Sequence, residues 1–203
     1  MGQCQPGQRR LVDPLCRGWP ATGRSGPNRR GASGAAGGLL CHGVDMDQLI
    51  VGDEVFTITK ASRSDVSALV ELLRDDFLGK GRELPNLAPY EIAFDDIDHD
   101  PNQFLAAIRN QSGELVGTLQ LTLIPGLARG GAKRLQIEAV RLASSTRGTG
   151  LGTAVFAWAH DYGKKHGATL AQLTCDKQRT DAHRFYERLG YSATHQGYKE
   201  LSL

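Results

Sequence analysis

Residues 136–167, QIEAVRLASSTRGTGLGTAVFAWAHDYGKKHG, constrain the chain more than any other stretch. They read as a strand, a polar break, a glycine-rich turn and a helix in immediate succession. In the strand, Leu135, Ile137 and Ala139 alternate with Gln136, Glu138 and Val140, which assigns the two sets to opposite faces of a sheet. Ser144, Ser145 and Thr146 end it. Leu151, Val155, Trp158 and Tyr162 then recur at the three-to-four spacing of one buried helix face. Lys164, Lys165 and His166 suit the last turn of that helix and Gly167 its C-cap.

The turn itself, Arg147-Gly148-Thr149-Gly150-Leu151-Gly152-Thr153, is where chemistry enters. A helix N-terminus presents unpaired N–H groups and a partial positive charge, which together suit phosphate. Glycines at 148, 150 and 152 let a bulky anion approach the backbone, while Arg147 adds a charged donor and Thr149 and Thr153 add hydroxyls. The other reading of these glycines is a tight turn and close packing. A dinucleotide-binding fold asks for G-x-G-x-x-G and an acidic residue further on. Gly148, Gly150 and Asp176 answer that pattern, but Thr153 stands at the third glycine and too little chain follows for the remaining strand–helix units. No Gly-Lys-Ser/Thr follows, so a P-loop is a poorer match.

Arg147-x-x-Gly150-x-Gly152, after a strand and opening a helix, resembles the acyl-CoA pyrophosphate motif of the GNAT superfamily of N-acyltransferases. Ala182-His183-Arg184-Phe185-Tyr186-Glu187-Arg188-Leu189-Gly190-Tyr191 is similar to that superfamily's closing A-x-x-x-Y-x-x-x-G-F/Y segment. The two motifs in this order are far more specific than either alone, and the resemblance covers 56–203. It implies a GNAT-type α/β (α+β) fold: a mixed, mainly antiparallel central sheet with a splayed parallel strand pair, flanked by about four helices. It also implies acetyl-CoA as co-substrate, lying in the splay. Val140 and Leu142 would pair with the pantetheine arm, and a backbone N–H near Leu142 would serve the developing oxyanion. Tyr186 falls on the general-acid tyrosine, whose other reading is a core aromatic beside Phe185. Where the superfamily often has a cofactor-contacting asparagine stands Arg179, which could reach a phosphate instead. The run KQRTDAHRFY at 177–186, with His195 and Lys199 beyond, resembles the branch that contains aminoalkylphosphonate N-acetyltransferases.

Elsewhere the pattern is simpler. A first strand is expected at Val55-Phe56-Thr57-Ile58-Thr59, then a helix capped by Ser64 or Asp65 with a stripe at Val66, Leu69, Val70 and Leu73. Pro89 opens a short second helix through Ile92. A hairpin joins 104–108 to 115–123, and 125–131 is a loop. The strand at 170–175, a helix from Thr180 to Leu189 stopped by Gly190, and a closing hairpin complete the order. A helix between the central strand and the strand at 170–175 implies a parallel pair.

Of 203 residues, 46–203 are expected to be the GNAT domain, and 1–45 differ in kind. That segment is crowded with Gly, Arg, Ser and Pro, contains no lysine, and has Asp13 and Asp45 as its only acids. It is expected to be disordered or to precede the functional start at or near Met46. It has no continuous apolar core of a secretory signal, and Pro6 breaks the myristoylation pattern. A net charge of +2 argues for neither nucleic acid nor membrane, and no apolar run approaches the ~20 residues that span a bilayer. Cys4, Cys16, Cys41 and Cys175 form no disulfide or metal-ligand framework, so a cytoplasmic setting without a metal is expected; His160 and His166 likewise lack ligand partners. The chain is open to a homodimer.

Amine acylation needs a neutral nucleophile, and an ordinary amine with a pKa near ~10.4 is almost wholly protonated at pH 7. Glu138 is the candidate base, the alternative being a solvent-facing carboxylate or one paired with Arg134 or Arg141. Asp95, Asp98, His99 and Asp100 could attract a cationic amine or simply form a solvated helix end. Cys175 reads as a buried strand cysteine, not an acyl carrier. The favoured function is an acetyl-CoA-dependent N-acetyltransferase acting by direct attack on the primary amine of a small molecule. The alternatives are a protein N-terminal or lysine acetyltransferase, a non-catalytic acyl-CoA-binding module and, more remotely, a dinucleotide-binding protein.

Overall fold

Six strands lie side by side in the order in which the chain makes them: β1 (Met46–Val51), β2 (Glu54–Lys60), β3 (Gln103–Arg109), β4 (Leu115–Ile124), β5 (Lys133–Leu142) and β6 (Ala168–Leu173). The computed structural model describes residues 46–75 and 81–200; the reading of 1–45 lies outside them. Neighbouring strands are antiparallel from β1 to β5, and β6 runs parallel to β5. One parallel pair in an otherwise antiparallel sheet is incompatible with a doubly wound dinucleotide fold. Between β2 and β3 come α1 (Val66–Arg74) and α2 (Ala88–His99); a single turn, α3 (Ala128–Gly131), joins β4 to β5. The crossover helix α4 (Leu151–Lys165) carries the chain from β5 to β6, and α5 (Thr180–Arg188) follows β6.

Alternation along the strands feeds two cores. On one face Ile58, Ile108, Leu119, Leu121, Leu135 and Ile137 meet Leu151, Val155, Phe156 and Ala159 of α4. On the other Ala107 packs with Val66, Leu69, Val70 and Phe94 of α1 and α2. The buried stripe of α4 runs through Leu151, Val155, Ala159 and Gly163, so Trp158 and Tyr162 flank the contact instead of centring it. Close approach is the reason. A Cβ on Gly163 would stand 2.9 Å from Leu135 Cδ2 and 3.3 Å from its Cβ. The bulky rings are displaced sideways, 5.6 and 5.1 Å from Phe104.

Four local features depart from the sequence reading. β1 was not expected; it joins β2 through Gly52, whose φ of 61° suits the first central position of a two-residue hairpin turn. Its Leu49 and Val51 pack on the α4 core and Asp47 accepts the Trp158 indole N–H at 2.7 Å, while Ile50 is 75 % exposed. α2 continues past Ile92 to His99. No closing hairpin forms: residues 191–200 are in no strand, and after Tyr191 all are exposed, since 192–197 offer no large apolar side chain to bury.

The fourth is a bulge in β5. Ala139 has φ 49°, and the ladder steps from Gln120↔Glu138 to Thr118↔Arg141. An extra residue inverts the alternation. Val140 and Leu142 therefore join Leu135 and Ile137 against α4, and Ala139 turns to the α1–α2 side, the reverse of the expected assignment.

Two outcomes test this packing. Gly163→Val should destabilise the fold by about 1–3 kcal/mol through overpacking against Leu135, read as a lower urea midpoint at unchanged slope. Tyr191, whose hydroxyl meets His160 Nε2 at 2.7 Å, is pushed by burial, and further by Tyr186, up to about 12. The folded chain thus holds this proton more tightly than the unfolded one, so the associated stability is complete below about pH 10 and lost as pH climbs toward 12. Guanidinium midpoints at pH 9 and pH ~11.5 should fall less in Tyr191→Phe than in the native chain.

Candidate active site

β5 and β6 pair only as far as Ile137↔Leu173. Beyond that point β6 has ended, and the remaining edge of β5, from Glu138 to Leu142, has no strand beside it there, while β4 still pairs on the other side. Backbone groups on such an edge can pair with an extended amide-bearing ligand; the Val140 carbonyl also accepts from the Arg141 guanidinium at 2.7 Å.

The chain then turns into α4 through a 3-10 turn, Ser144–Thr146. Gly148 and Gly150 have φ of 76° and 96°, a region that side chains with a Cβ seldom occupy. The space at the Gly148 Cβ position is open, and that at Gly150 meets only Val51 Cγ1, at 3.6 Å. Gly152 has a different reason: its Cβ would lie 3.3 Å from the Phe185 ring and 3.6 Å from Leu142 Cδ1. Close packing thus accounts for Gly152, while Gly148 and Gly150 are required by their dihedral angles and have no side chain crowding them. Gly150 is the N-cap of the helix, and just before it the Thr149 hydroxyl donates to the Thr146 carbonyl at 2.9 Å and accepts the Leu151 N–H at 3.2 Å. The Leu151 side chain is wholly in the core. Arg147, Gly148, Thr149, Gly150 and Thr153 are exposed, in front of the positive end of a 15-residue helix.

α5 delivers Tyr186. Its start is tied down by Asp176, whose carbonyl accepts from Arg179 N–H at 3.0 Å and meets His183 Nε2 at 2.9 Å. Phe185 and Tyr186 both pack against Phe156, with ring centroids at 5.6 Å. Burial raises the Tyr186 hydroxyl above the ordinary tyrosine value, the Cys175 thiol adds to this, and Arg179 and Arg141 oppose it. Tyr186 is therefore a protonated donor at neutral pH. Cys175, just past β6, is likewise raised by burial, with Arg179 opposing and Asp176 adding. A thiol held protonated is a poor nucleophile. Arg141 was not singled out from the sequence as a site residue, because its nearness to Tyr186 depends on the bulge.

Glu138 stands on the other face, exposed and opposite Gln120 in the ladder. It ends a row of amides in which Gln120 and Thr122 donate to Gln103 at 3.0 and 2.8 Å and Gln172 donates to Gln136 at 2.8 Å. The acidic cluster on α2 is engaged elsewhere: Asp98 pairs with Lys60 at 2.7 Å, Asp95 with Arg63, and Asp100 caps the Asn102 N–H. Among the described residues no group of three or more His, Cys, Asp or Glu side chains could hold a metal ion, and no helix is long and apolar enough to cross a membrane.

Comparison with known proteins agrees with this geometry. The chain is 35% identical over 97 residues to an aminoalkylphosphonate N-acetyltransferase of Salmonella typhimurium, a match covering 47% of this chain and 61% of that protein. A structure described as a transcriptional regulator from Bacillus halodurans is 42% identical with a TM-score of 0.69, covering 72% of this chain and 99% of the other. A Trypanosoma brucei acetyltransferase is 27% identical with a TM-score of 0.59, covering 73% and 99%. The model of the acetyltransferase (GNAT) family matches residues 66–191, more than half of the chain. The chain belongs to the GNAT family of acetyltransferases.

Proposed function

We propose that residues 46–203 form a cytoplasmic, acetyl-CoA-dependent N-acetyltransferase that acylates the primary amine of a small molecule by direct attack. The observation that carries this reading is the unpaired edge of β5 running straight into the α4 turn, with Glu138 on one side and Tyr186 on the other. When bound, acetyl-CoA supplies an acyl group activated as a thioester. Val140 and Leu142 would hold its amide-bearing arm in strand fashion. Arg147, Gly148, Thr149, Gly150, Gly152 and Thr153 would receive its pyrophosphate, with the Leu151 backbone anchored beneath and Arg179 as a further cation. Glu138 takes the proton from the ammonium, directly or through water, raising the neutral fraction that can attack. Tyr186, kept protonated by burial, gives a proton to the departing thiolate.

The relative named as a transcriptional regulator favours a second reading, an acyl-CoA-binding module without turnover. The presence of Tyr186 and Glu138 supports catalysis, and a turnover assay on a panel of amines, with peptides beside small molecules, separates the readings. Gly150→Glu places an anion in the cradle and should abolish the calorimetric signal of acetyl-CoA at concentrations saturating the native chain, with the circular dichroism spectrum as fold control. No signal from the native chain would overturn the proposal. Tyr186→Phe should lower kcat about 10²-fold or more at unchanged acetyl-CoA affinity. Glu138→Gln should lower kcat/KM about 10²-fold at pH 7, and less at pH ~9.5 where the free amine is more often neutral.

A further inference from the structure

A cavity of about 110 Å³ lies between α1, α2 and the sheet, on the same face as Glu138. Its walls are Leu69, Val70 and Phe94, and its floor includes Ala139, the residue turned to this side by the bulge. Three polar residues also line it: Thr118, Gln120 and Tyr90. Each already has a partner. The buried Thr118 hydroxyl donates to the Ala106 carbonyl at 2.8 Å, and the Gln120 amide donates to Gln103 at 3.0 Å. The Tyr90 hydroxyl donates to Glu83 at 2.8 Å and accepts the Leu84 N–H at 2.7 Å. A water in this space would find few groups left to bond, and a space of that kind favours hydrocarbon over water.

Position adds the second observation. Gln120 is the cross-strand partner of Glu138, and Ala139 is its chain neighbour, so the cavity floor borders both the proposed base and the stretch of β5 that β6 does not cover. A molecule rooted here by its apolar end would present its other end beside the Glu138 carboxylate.

Resting on the acetyltransferase reading, we propose that this cavity seats the hydrocarbon part of the acceptor, which is therefore a primary amine bearing a short apolar group. The volume admits about three to five carbons, by comparison with the ~150 Å³ apolar cavity that takes benzene. Cavity and carboxylate together select a substrate with a cationic head and an apolar tail. A polar residue in the tail would lose its hydration without gaining a partner, because the groups at the cavity surface are already bonded to the protein.

The test is a series of unbranched primary amines from methylamine to octylamine, with aminomethylphosphonate beside them, followed by thiol release at saturating acetyl-CoA. The ratio kcat/KM should rise about fourfold per methylene until the cavity is full and then fall. Ala93 and Leu73 both line the space. Measured relative to methylamine in the same variant, Ala93→Phe should move the optimum to shorter chains and Leu73→Ala to longer ones. Thiol release with a flat or falling series, or with aminomethylphosphonate preferred, overturns the inference and leaves the acetyltransferase reading standing. Neither thiol release nor acetyl-CoA binding overturns that reading and the inference with it. A second readout needs no turnover: saturation transfer from protein methyl groups to butylamine should be seen in the native chain and lost in Ala93→Phe. Its absence in the native chain overturns the inference even where acetyl-CoA binds.

Discussion

β5 is hydrogen-bonded on both edges for its first half and on one edge for the rest, and the molecule is arranged around keeping that difference. A bare strand edge usually closes up with any strand within reach. Here β6 is held beside β5 at one end, where Gly163 lets α4 press onto Leu135 and so pins the crossover. Past the end of that pairing the α4 side of the sheet is filled with aromatic bulk. Phe185 and Tyr186 sit against Phe156, and Tyr191 reaches back to His160. Rings of this size resist compression because interiors are already close-packed.

The same packing explains why two motifs distant in sequence occur together. Gly152 belongs to the turn that opens α4, and Phe185 is the residue before Tyr186. The ring occupies the place where a side chain at 152 would begin. Enlarging the glycine would push α5 outward and Tyr186 with it. The glycine turn and Tyr186 are thus one mechanical unit, and a change in either is felt by the other. Gly148 and Gly150 are constrained independently, by backbone dihedral angles and not by a neighbour.

Much of this was legible in the residue pattern, for reasons that also mark where legibility ends. α1, α4 and the first part of β5 carry three-to-four or period-two apolar repeats, and β2, β3, β4 and β6 are apolar-rich runs, so their existence and order follow from burial. α5, which buries no residue fully, was legible instead from its bounds at Thr180 and Gly190 and from the resemblance. β1 was not legible because only Leu49 and Val51 of its apolar residues face the core, while Ile50 faces solvent and spoils the alternation. The α4 stripe was placed correctly at Leu151 and Val155 but misplaced in its second half, because periodicity counts large residues, whereas the buried positions there are Ala159 and Gly163, small enough to allow contact. QIEAVRL reads as clean alternation, yet Ala139 breaks it through a dihedral angle that its side chain does not announce. The expected roles of Val140 and Leu142 came from resemblance alone; their shared face with Leu135 is a consequence of that bulge. Thr149 was read as a ligand hydroxyl, and in the fold that hydroxyl is bonded within the turn, to the Thr146 carbonyl and the Leu151 N–H.

The protonation states on the two sides of β5 bear on which chemistry the site can support. Tyr186 belongs to the α4 side, among aromatic rings, and burial holds its hydroxyl protonated. Cys175 is held protonated by the same cause, so a covalent acyl-enzyme would first have to form a thiolate against its surroundings. Glu138 lies on the opposite face of β5, exposed to water and across the ladder from Gln120. One strand thus stands between Tyr186 and Glu138, and the bulge at Ala139 is what brings Val140 and Leu142 to the Tyr186 side of it. Direct attack uses Tyr186 in its protonated state, whereas an acyl-cysteine route would need the same proton donor and, in addition, a Cys175 thiolate that its surroundings disfavour.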